Sequence, residues 1–168
     1  MADEVRITNA DLIVDEGEKV QYIVIKLGNE QYGIDIKYID NIVRMQNITR
    51  VPKIDDYFRG VLNIRGVIVP VMSIRILMGM EEDKITNKSR IIILKVGDEG
   101  ELLGIIVDEV NQVLNIGSRN IDKLSFDEKT KKTNGKFISG VGKYEGGLVS
   151  ILDLTALDPE TAAKEKKE

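Results

Sequence analysis

The chain has 168 residues, a formal net charge of −4, and neither His nor Cys. Their absence excludes disulfides, catalysis by a thiolate or an imidazole, and the usual transition-metal sites. The net negative charge and the 5% aromatic content also disfavour general nucleic-acid binding, which relies on basic surfaces and stacking side chains. Residues 1–18 lack the features of a signal peptide and predict a flexible leader, and no apolar run could span a bilayer. We therefore expect a cytoplasmic protein.

The first apolar segments of the chain predict a β-hairpin. Residues 20–27 are almost all apolar, Gly28-Asn29 is a turn pair, and apolar and polar residues alternate over 31–36. The period then changes, and helical spacing predicts one or two helical turns that present a shared apolar face. The residues of that face are Ile36, Ile39 and Val43.

A second hairpin is predicted in the middle of the chain. Residues 61–64 and 67–72 are apolar runs that flank the pair Arg65-Gly66. Pro70 lacks a backbone donor, which predicts that its strand lies at an edge or is bulged. Ser73 is placed to cap a short helix that follows.

The second half repeats the order of elements of the first, and further hairpins are predicted there. Gly33-Ile34 aligns with Gly104-Ile105, and Gly60-Val61 aligns with Gly140-Val141. Such matches indicate a duplicated unit whose copies bury faces against each other, although recurring turn glycines and β-branched strands offer coincidence as the alternative. Duplication predicts a mainly β fold of two barrels with about five strands each.

The expected organisation is one domain over 19–157, made of two barrel subdomains. They cover about 19–82 and 88–157, and an exchange of terminal strands between them is left open. Asp158-Pro159 is a good helix start, so residues 158–168 predict a polar C-terminal helix or tail.

The charged residues suggest docking rather than catalysis. No phosphate-binding loop is present, and the acidic clusters at 55–56 and 81–83 are interpreted as solvated loop charge. Residues 44–75 carry six basic residues against two acidic ones, a net charge of +4, which would suit an acidic partner surface. Arg65 lies in a tight turn, where it could contact a partner, form an internal salt bridge or clamp a carbonyl. Phe126, a lone aromatic in polar sequence, is either an exposed anchor or a loop residue folded onto a barrel end.

These residues also carry a family pattern, whose most specific part is the run from Asn63 to Pro70. The sequences at 32–36, 60–71 and 104–108, together with Arg75, make the chain similar to the CheW family of bacterial chemotaxis coupling proteins. The similarity extends from about Val20 to Leu157. It implies two SH3-like (OB-like) five-stranded barrels packed on a shared core, with short helices.

The resemblance further implies a non-catalytic adaptor without cofactors. Its partners would be the regulatory domain of the histidine kinase CheA and the cytoplasmic tip of methyl-accepting chemoreceptors. It would bind no nucleic acid, insert into no membrane, and be recruited to receptor arrays at the inner face of the membrane.

The resemblance, followed residue by residue, also implies which positions contact the kinase or the receptor. Asn41 departs from the acidic residue common at its position in the family, and Phe126 belongs to a loop that aligns loosely. The implied protein-binding residues are Ile39, Asp40, Asn41, Ile42, Gly60, Asn63, Arg65 and Phe126.

Two other functions remain compatible with the sequence. The same fold could be a regulatory CheW-like module of a related signalling protein. It could also be a barrel that binds a small ligand or an oligonucleotide, although its charge and few aromatic residues count against that.

Overall fold

Eleven strands and one short α-helix form the part of the chain that the computed structural model describes, residues 17–123 and 137–157. Single 3-10 turns lie at Ile36–Tyr38, Ser118–Asn120 and Leu154–Leu157. The strands are β1 (Lys19–Leu27), β2 (Glu30–Asp35), β3 (Ile39–Arg44), β4 (Phe58–Ile64), β5 (Val67–Ser73), β6 (Arg90–Val96), β7 (Glu101–Val107), β8 (Glu109–Gly117), β9 (Ile121–Lys123), β10 (Ile138–Tyr144) and β11 (Gly147–Leu152), and helix α1 is Ile74–Leu77.

The strands form two sheets. The six-stranded sheet has the order β8-β1-β2-β11-β10-β9, and the five-stranded sheet has the order β3-β6-β7-β5-β4. Neighbouring strands are antiparallel except for the pairs β2–β11 and β5–β7, which are parallel. The predicted mainly β fold is confirmed. The predicted tail at 158–168 lies outside the described residues.

The sheets do not coincide with the sequence halves 19–82 and 88–157. The hairpin β1–β2 of the first half pairs with β8 and β11, and the hairpin β6–β7 of the second half pairs with β3 and β5. Each half therefore contributes its first hairpin to the sheet built by the other half. A boundary between residues 82 and 88 separates the repeats in sequence but not the barrels in space.

The register of the strands matches between the two sheets in the way that a duplication requires. Val71 pairs with Gly104 in the five-stranded sheet, and the aligned residues Ile151 and Gly33 pair in the six-stranded sheet. A bulge between Phe58 and Gly60 likewise recurs between Ile138 and Gly140. Both copies thus keep the same pairing partners and the same irregularity. The added strand β9 lies at the end of the six-stranded sheet.

Three apolar clusters explain why the strands are so rich in Ile and Val. Two of the clusters each fill the interior of one barrel. The third and largest lies between the two sheets and includes side chains from both. Strand β6 shows the division, because Ile91 and Ile93 point into the five-stranded barrel while Ile92 and Leu94 join the shared core. Alternate residues of a strand face opposite sides, so a strand buried on both faces must be apolar throughout.

Two local predictions differ from the structure. The helical turns predicted from Ile36 are wrong beyond one 3-10 turn, because Ile39 already begins strand β3. Strand β5 is not an edge strand, since it lies between β7 and β4, and the bulge near Pro70 falls on β4, between Phe58 and Gly60. Pro70 is nevertheless accommodated, because the ladder with β7 begins only at Val71 and requires no donor from the proline.

Helix α1 begins as predicted at Ser73, whose Oγ accepts a hydrogen bond from Ile76 N at 3.2 Å. The same hydroxyl donates to Oδ2 of Asp83, whose other carboxylate oxygen is buried without a hydrogen-bond partner. Burial raises the pKa of Asp83, and this effect outweighs the opposing influence of Ser73 and Arg75. Asp83 is therefore not the solvated loop charge that its acidic surroundings suggested.

Replacing Gly60 should destabilise the fold far more than replacing Gly66. Both have positive φ, at 137° and 85°, but a Cβ on Gly60 would lie 2.1 Å from the carbonyl oxygen of Thr49, whereas a Cβ on Gly66 meets nothing within 4 Å. We expect Gly60→Ala to lower the free energy of unfolding by about 2–4 kcal/mol and Gly66→Ala by about 1 kcal/mol. Urea titration measures both, and equal losses would contradict the steric explanation.

Asp83→Asn should stabilise the protein at neutral pH. The folded pKa of Asp83 lies above the unfolded value of 3.8, so its stabilising contribution is fully present below that value and is lost as the pH rises through the folded pKa. Above the folded pKa the ionised carboxylate opposes folding, and the amide avoids this cost. Urea midpoints at pH 7 and pH 4 should show an advantage of the variant that shrinks on acidification. Exposed Asp98→Asn is the control, and a variant that is less stable at pH 7 would contradict the prediction.

Candidate functional site

Within 17–123 and 137–157, no group of three or more Asp or Glu side chains could hold a metal ion. No helix in this part of the chain is long and apolar enough to cross a membrane.

The start of β3 carries four of the predicted contact residues, and the structure divides them. Ile39 and Ile42 are partly buried and pack against the shared core. Asp40 is exposed at a bulge where the register of the β3–β6 ladder shifts between Ile39 and Asn41. Asn41 is half-buried, and its Oδ1 accepts a hydrogen bond from Ile42 N at 2.8 Å. Of these four residues, Asp40 and Asn41 are therefore the ones whose side chains could contact a partner.

The hairpin β4–β5 carries three more predicted residues, and Gly60 is the one with a structural role. It is buried in strand β4 beneath the segment that contains Thr49. Thr49 and Val61 exchange backbone hydrogen bonds of 2.9 and 2.8 Å, which lay that segment against the strand. Gly60 permits this approach because it lacks a side chain. Its effect on any partner would be indirect.

Arg65 and Asn63 form the exposed end of the same hairpin. Arg65 has φ of 52° and Gly66 has φ of 85°, and positive values at both central residues are typical of a type I′ turn. Asn63 Oδ1 accepts a hydrogen bond from Gly66 N at 2.8 Å, which braces the turn. The guanidinium of Arg65 is exposed and forms no salt bridge with a described residue. An arginine in this position is left available for a carboxylate of another molecule.

These residues lie on one barrel. Strands β3 and β4 are the two ends of the five-stranded sheet, and Val43 and Ile64 pack against the same interior cluster. We call Asp40, Asn41, Asn63 and Arg65 the polar surface. Phe126 lies outside the described residues.

Two of the six basic residues in the stretch 44–75 form internal salt bridges. Arg59 forms a salt bridge of 2.8 Å with Glu82, and Arg75 pairs with Asp108. The basic residues that stay exposed are Arg44, Arg50, Lys53 and Arg65.

A groove between the two sheets was not predicted. It has a volume of about 1390 Å³ and is lined by residues of both sheets, among them Ser139 of β10 and Lys95 of β6. Its apolar wall includes the exposed side chains of Val67, Ile68 and Tyr38. One feature of the sequence could have indicated the groove. Val67 and Ile68 are consecutive apolar residues beside a turn, and only one of two neighbours in a strand can face the barrel interior.

The rim of the groove is predominantly acidic. The turn between β6 and β7 contributes Asp98 and Glu99, and Glu101 follows at the start of β7. Lys37 and Lys95 are the basic residues among those that line it. The groove therefore combines an apolar wall with a polar edge, as protein-binding sites commonly do.

Comparison with known proteins gives a consistent assignment. The family model for the CheW-like domain matches residues 21–160. The chain is 35% identical over 150 residues to chemotaxis protein CheW of Bacillus subtilis (strain 168), covering 89% of this chain and 92% of that one. It is 28% identical over 153 residues to chemotaxis protein CheW of Thermotoga maritima, covering 91% and 97% respectively. The crystal structure of scaffolding protein TtCheW from Thermoanaerobacter tengcongensis matches with a TM-score of 0.73 at 28% identity, covering 82% of this chain and 86% of that one.

Arg65→Asn should stabilise the isolated protein. Arginine pays a conformational cost at a φ of 52°, whereas Asn tolerates this region and Asn-Gly is the preferred type I′ pair. We expect the free energy of unfolding to rise by about 0.5–1 kcal/mol. Arg44→Asn, at an exposed position where φ is not positive, should give no gain. Urea titration measures both variants, and a loss of stability in Arg65→Asn would show that the arginine stabilises the turn.

Proposed function

Because the chain belongs to the CheW-like family of chemotaxis scaffold proteins, we propose that it couples methyl-accepting chemoreceptors to the histidine kinase CheA as a non-catalytic adaptor. The observation that carries this proposal is the family match over residues 21–160, which spans the whole described fold. The adaptor would act in the cytoplasm and be recruited to receptor arrays at the inner face of the membrane. It would require no cofactor.

An adaptor needs two binding surfaces on one body, and the two candidates here meet at the β4–β5 hairpin, where Asn63 of the polar surface pairs with Ile68 of the groove wall. The polar surface lies on the five-stranded barrel, at β3 and at the end of the β4–β5 hairpin. The groove lies between the sheets, with Val67 and Ile68 in its wall. The shared core joins the two barrels and can transmit a change at one surface to the other.

The chemistry of the two surfaces suits different partners. The polar surface includes the exposed planar donor group of Arg65, which fits a partner with exposed carboxylates. The groove offers apolar side chains, which fit an apolar surface presented by a second protein. We propose that the CheA regulatory domain and the receptor tip each use one of these surfaces.

The conformation of Arg65 supports a binding role for this residue. A non-glycine residue at a positive φ carries a cost that the isolated fold does not need, because Asn or Gly would fit the turn better. Strained positions of this kind are concentrated at functional sites. Asn63, which braces the turn, would position the guanidinium for its partner.

The proposal is tested by titration calorimetry of the full chain against an isolated CheA regulatory domain and a receptor signalling-tip fragment. Arg65→Asn should weaken binding of one partner, and Ile68→Ser should weaken binding of the other, each by about tenfold. Selective losses are expected because Ile68 lines the groove and Arg65 does not.

Leu148→Ser is the matched control for the groove. Leu148 occupies the position equivalent to Ile68 in the second copy, and the two side chains are similarly exposed, at 64% and 61%. It does not line the groove, so its loss should leave both affinities unchanged. If the wild-type chain binds neither partner while circular dichroism shows it folded, the adaptor function is refuted. Loss of the same partner in both surface variants would refute the division of surfaces.

A further inference from the structure

Asp108 occupies a junction between the two sheets. Strand β7 of the five-stranded sheet ends at Val107, and strand β8 of the six-stranded sheet begins at Glu109. The chain therefore passes from one sheet to the other through this single residue. Any contact made by Asp108 acts directly on the connection between the barrels.

The contacts of Asp108 reach three separate elements. Its backbone N–H donates to the carbonyl of Lys26 at 3.0 Å, and its Oδ2 accepts from Gly28 N at 2.7 Å, which attaches the β1–β2 turn. Arg75 of helix α1 donates from Nε to Oδ1 at 2.9 Å and from Nη2 to Oδ2. Arg75 Nη1 also donates to the carbonyl of Glu81 at 3.3 Å, which attaches the segment after the helix. One carboxylate thus joins parts of both sheets.

The pair is shielded from water and keeps its charge. The side chains of Arg75 and Asp108 are only 12% and 24% exposed. Burial by itself would raise the pKa of Asp108, but the hydrogen bonds from Arg75 and Gly28 outweigh it and hold the pKa below its usual value. The two parallel hydrogen bonds of the arginine fork fix direction as well as distance.

The duplication supplies an internal comparison at the equivalent junction, where β2 of the six-stranded sheet leads to β3 of the five-stranded sheet. In the alignment that places Gly33 on Gly104 and Gly60 on Gly140, Lys37 is equivalent to Asp108 and Thr155 is equivalent to Arg75. Lys37 and Thr155 both line the groove. Lys37 pairs at 3.7 Å with nearby Asp35, and the Thr155 hydroxyl donates to nearby Asp153 at 2.6 Å. Among residues 17–123 and 137–157, no salt bridge or side-chain hydrogen bond spans the groove between the sheets.

The two junctions between the sheets therefore differ in how they are held. Apolar packing in the shared core keeps the sheets together, but the hydrophobic attraction is not directional and does not by itself select one angle between them. Within residues 17–123 and 137–157, the directional side-chain contacts between the sheets at these two junctions lie at Arg75 and Asp108, while the equivalent residues Thr155 and Lys37 line the groove.

We infer that Arg75 and Asp108 are positioning residues that fix the angle between the sheets at one junction, so that the groove at the equivalent junction is where the angle adjusts to a bound protein. The identity of that protein rests on the proposed function, whereas the clamp itself does not. A partner in the groove would then alter the orientation of the five-stranded barrel, which carries the polar surface.

Site-directed spin labelling tests the clamp on the full chain without any partner. The chain has no cysteine, so labels can be attached at Lys95→Cys and Ser139→Cys, two exposed positions that face the groove from different sheets. Double electron–electron resonance then measures the distance distribution across the groove. We expect Arg75→Lys and Asp108→Asn to broaden and shift this distribution, because each removes the fork geometry.

Two controls separate loss of the clamp from general perturbation. Asp122→Asn removes the exposed salt bridge of 3.0 Å between Asp122 and Lys143, which lies within the six-stranded sheet, and should leave the distribution unchanged. Labels at Arg44→Cys and Lys95→Cys, both in the five-stranded sheet, should report the same distances in every variant. If Asp108→Asn fails to fold, Arg75→Lys, which retains the positive charge, decides the outcome. An unchanged distribution across the groove in a folded variant overturns the inference.

A binding measurement connects the clamp to adaptor function. In the wild-type chain, saturation with the receptor fragment should change the affinity for the CheA regulatory domain by a measurable factor, typically between 5-fold and 150-fold for coupled sites. Arg75→Lys should bring this factor towards one while retaining both separate affinities. Absence of binding to the wild-type chain would refute the proposed function and leave the labelling result standing. Normal coupling in the variant, with unchanged distances, would refute only the clamp.

Discussion

The architecture depends on strands that are buried on both faces. In β1, Tyr22 and Val24 point into the six-stranded barrel, while Ile23 and Ile25 pack in the core between the sheets. Strand β6 divides its side chains between the five-stranded barrel and the same core. A strand of this kind requires apolar partners above and below, which no single small barrel provides. The two hairpins that contain β1 and β6 therefore lie between barrel interior and shared core, each joined to the sheet of the other half.

Local elements could be predicted from the sequence because their causes are local. The pair Arg65-Gly66 and the cap at Ser73 depend on residues that are neighbours in the chain, and the repeated glycines indicate the duplication. The sequence left an exchange of strands between the subdomains open but could not say which hairpins exchange, since that depends on which distant strands pair. The parallel pairing of β5 with β7 is one such long-range choice. The groove escaped prediction for the same reason, because its walls combine residues as far apart as Tyr22 and Thr155.

The candidate contact residues show how one sequence motif combines two kinds of requirement. Gly60 is needed by the fold, because the carbonyl of Thr49 occupies the space of a side chain. Arg65 is not needed by the fold, since its positive φ would suit Asn or Gly better. Position in a family motif cannot separate these cases, but steric space and backbone conformation can. Ile39 and Ile42 belong with Gly60, because their side chains pack against the shared core.

Duplication by itself would give a molecule two equivalent surfaces, whereas an adaptor needs two different ones. The two copies share their topology and differ in the side chains at equivalent positions. Arg65 at the end of one hairpin is replaced by Glu145 at the end of the other, which reverses the charge. Arg75 and Asp108 of the clamp are replaced by Thr155 and Lys37, which line the groove in the described part of the chain. A few substitutions on a duplicated frame are thus enough to produce a clamp at one junction, a groove at the other and two distinct surfaces, while the paired strands keep their register.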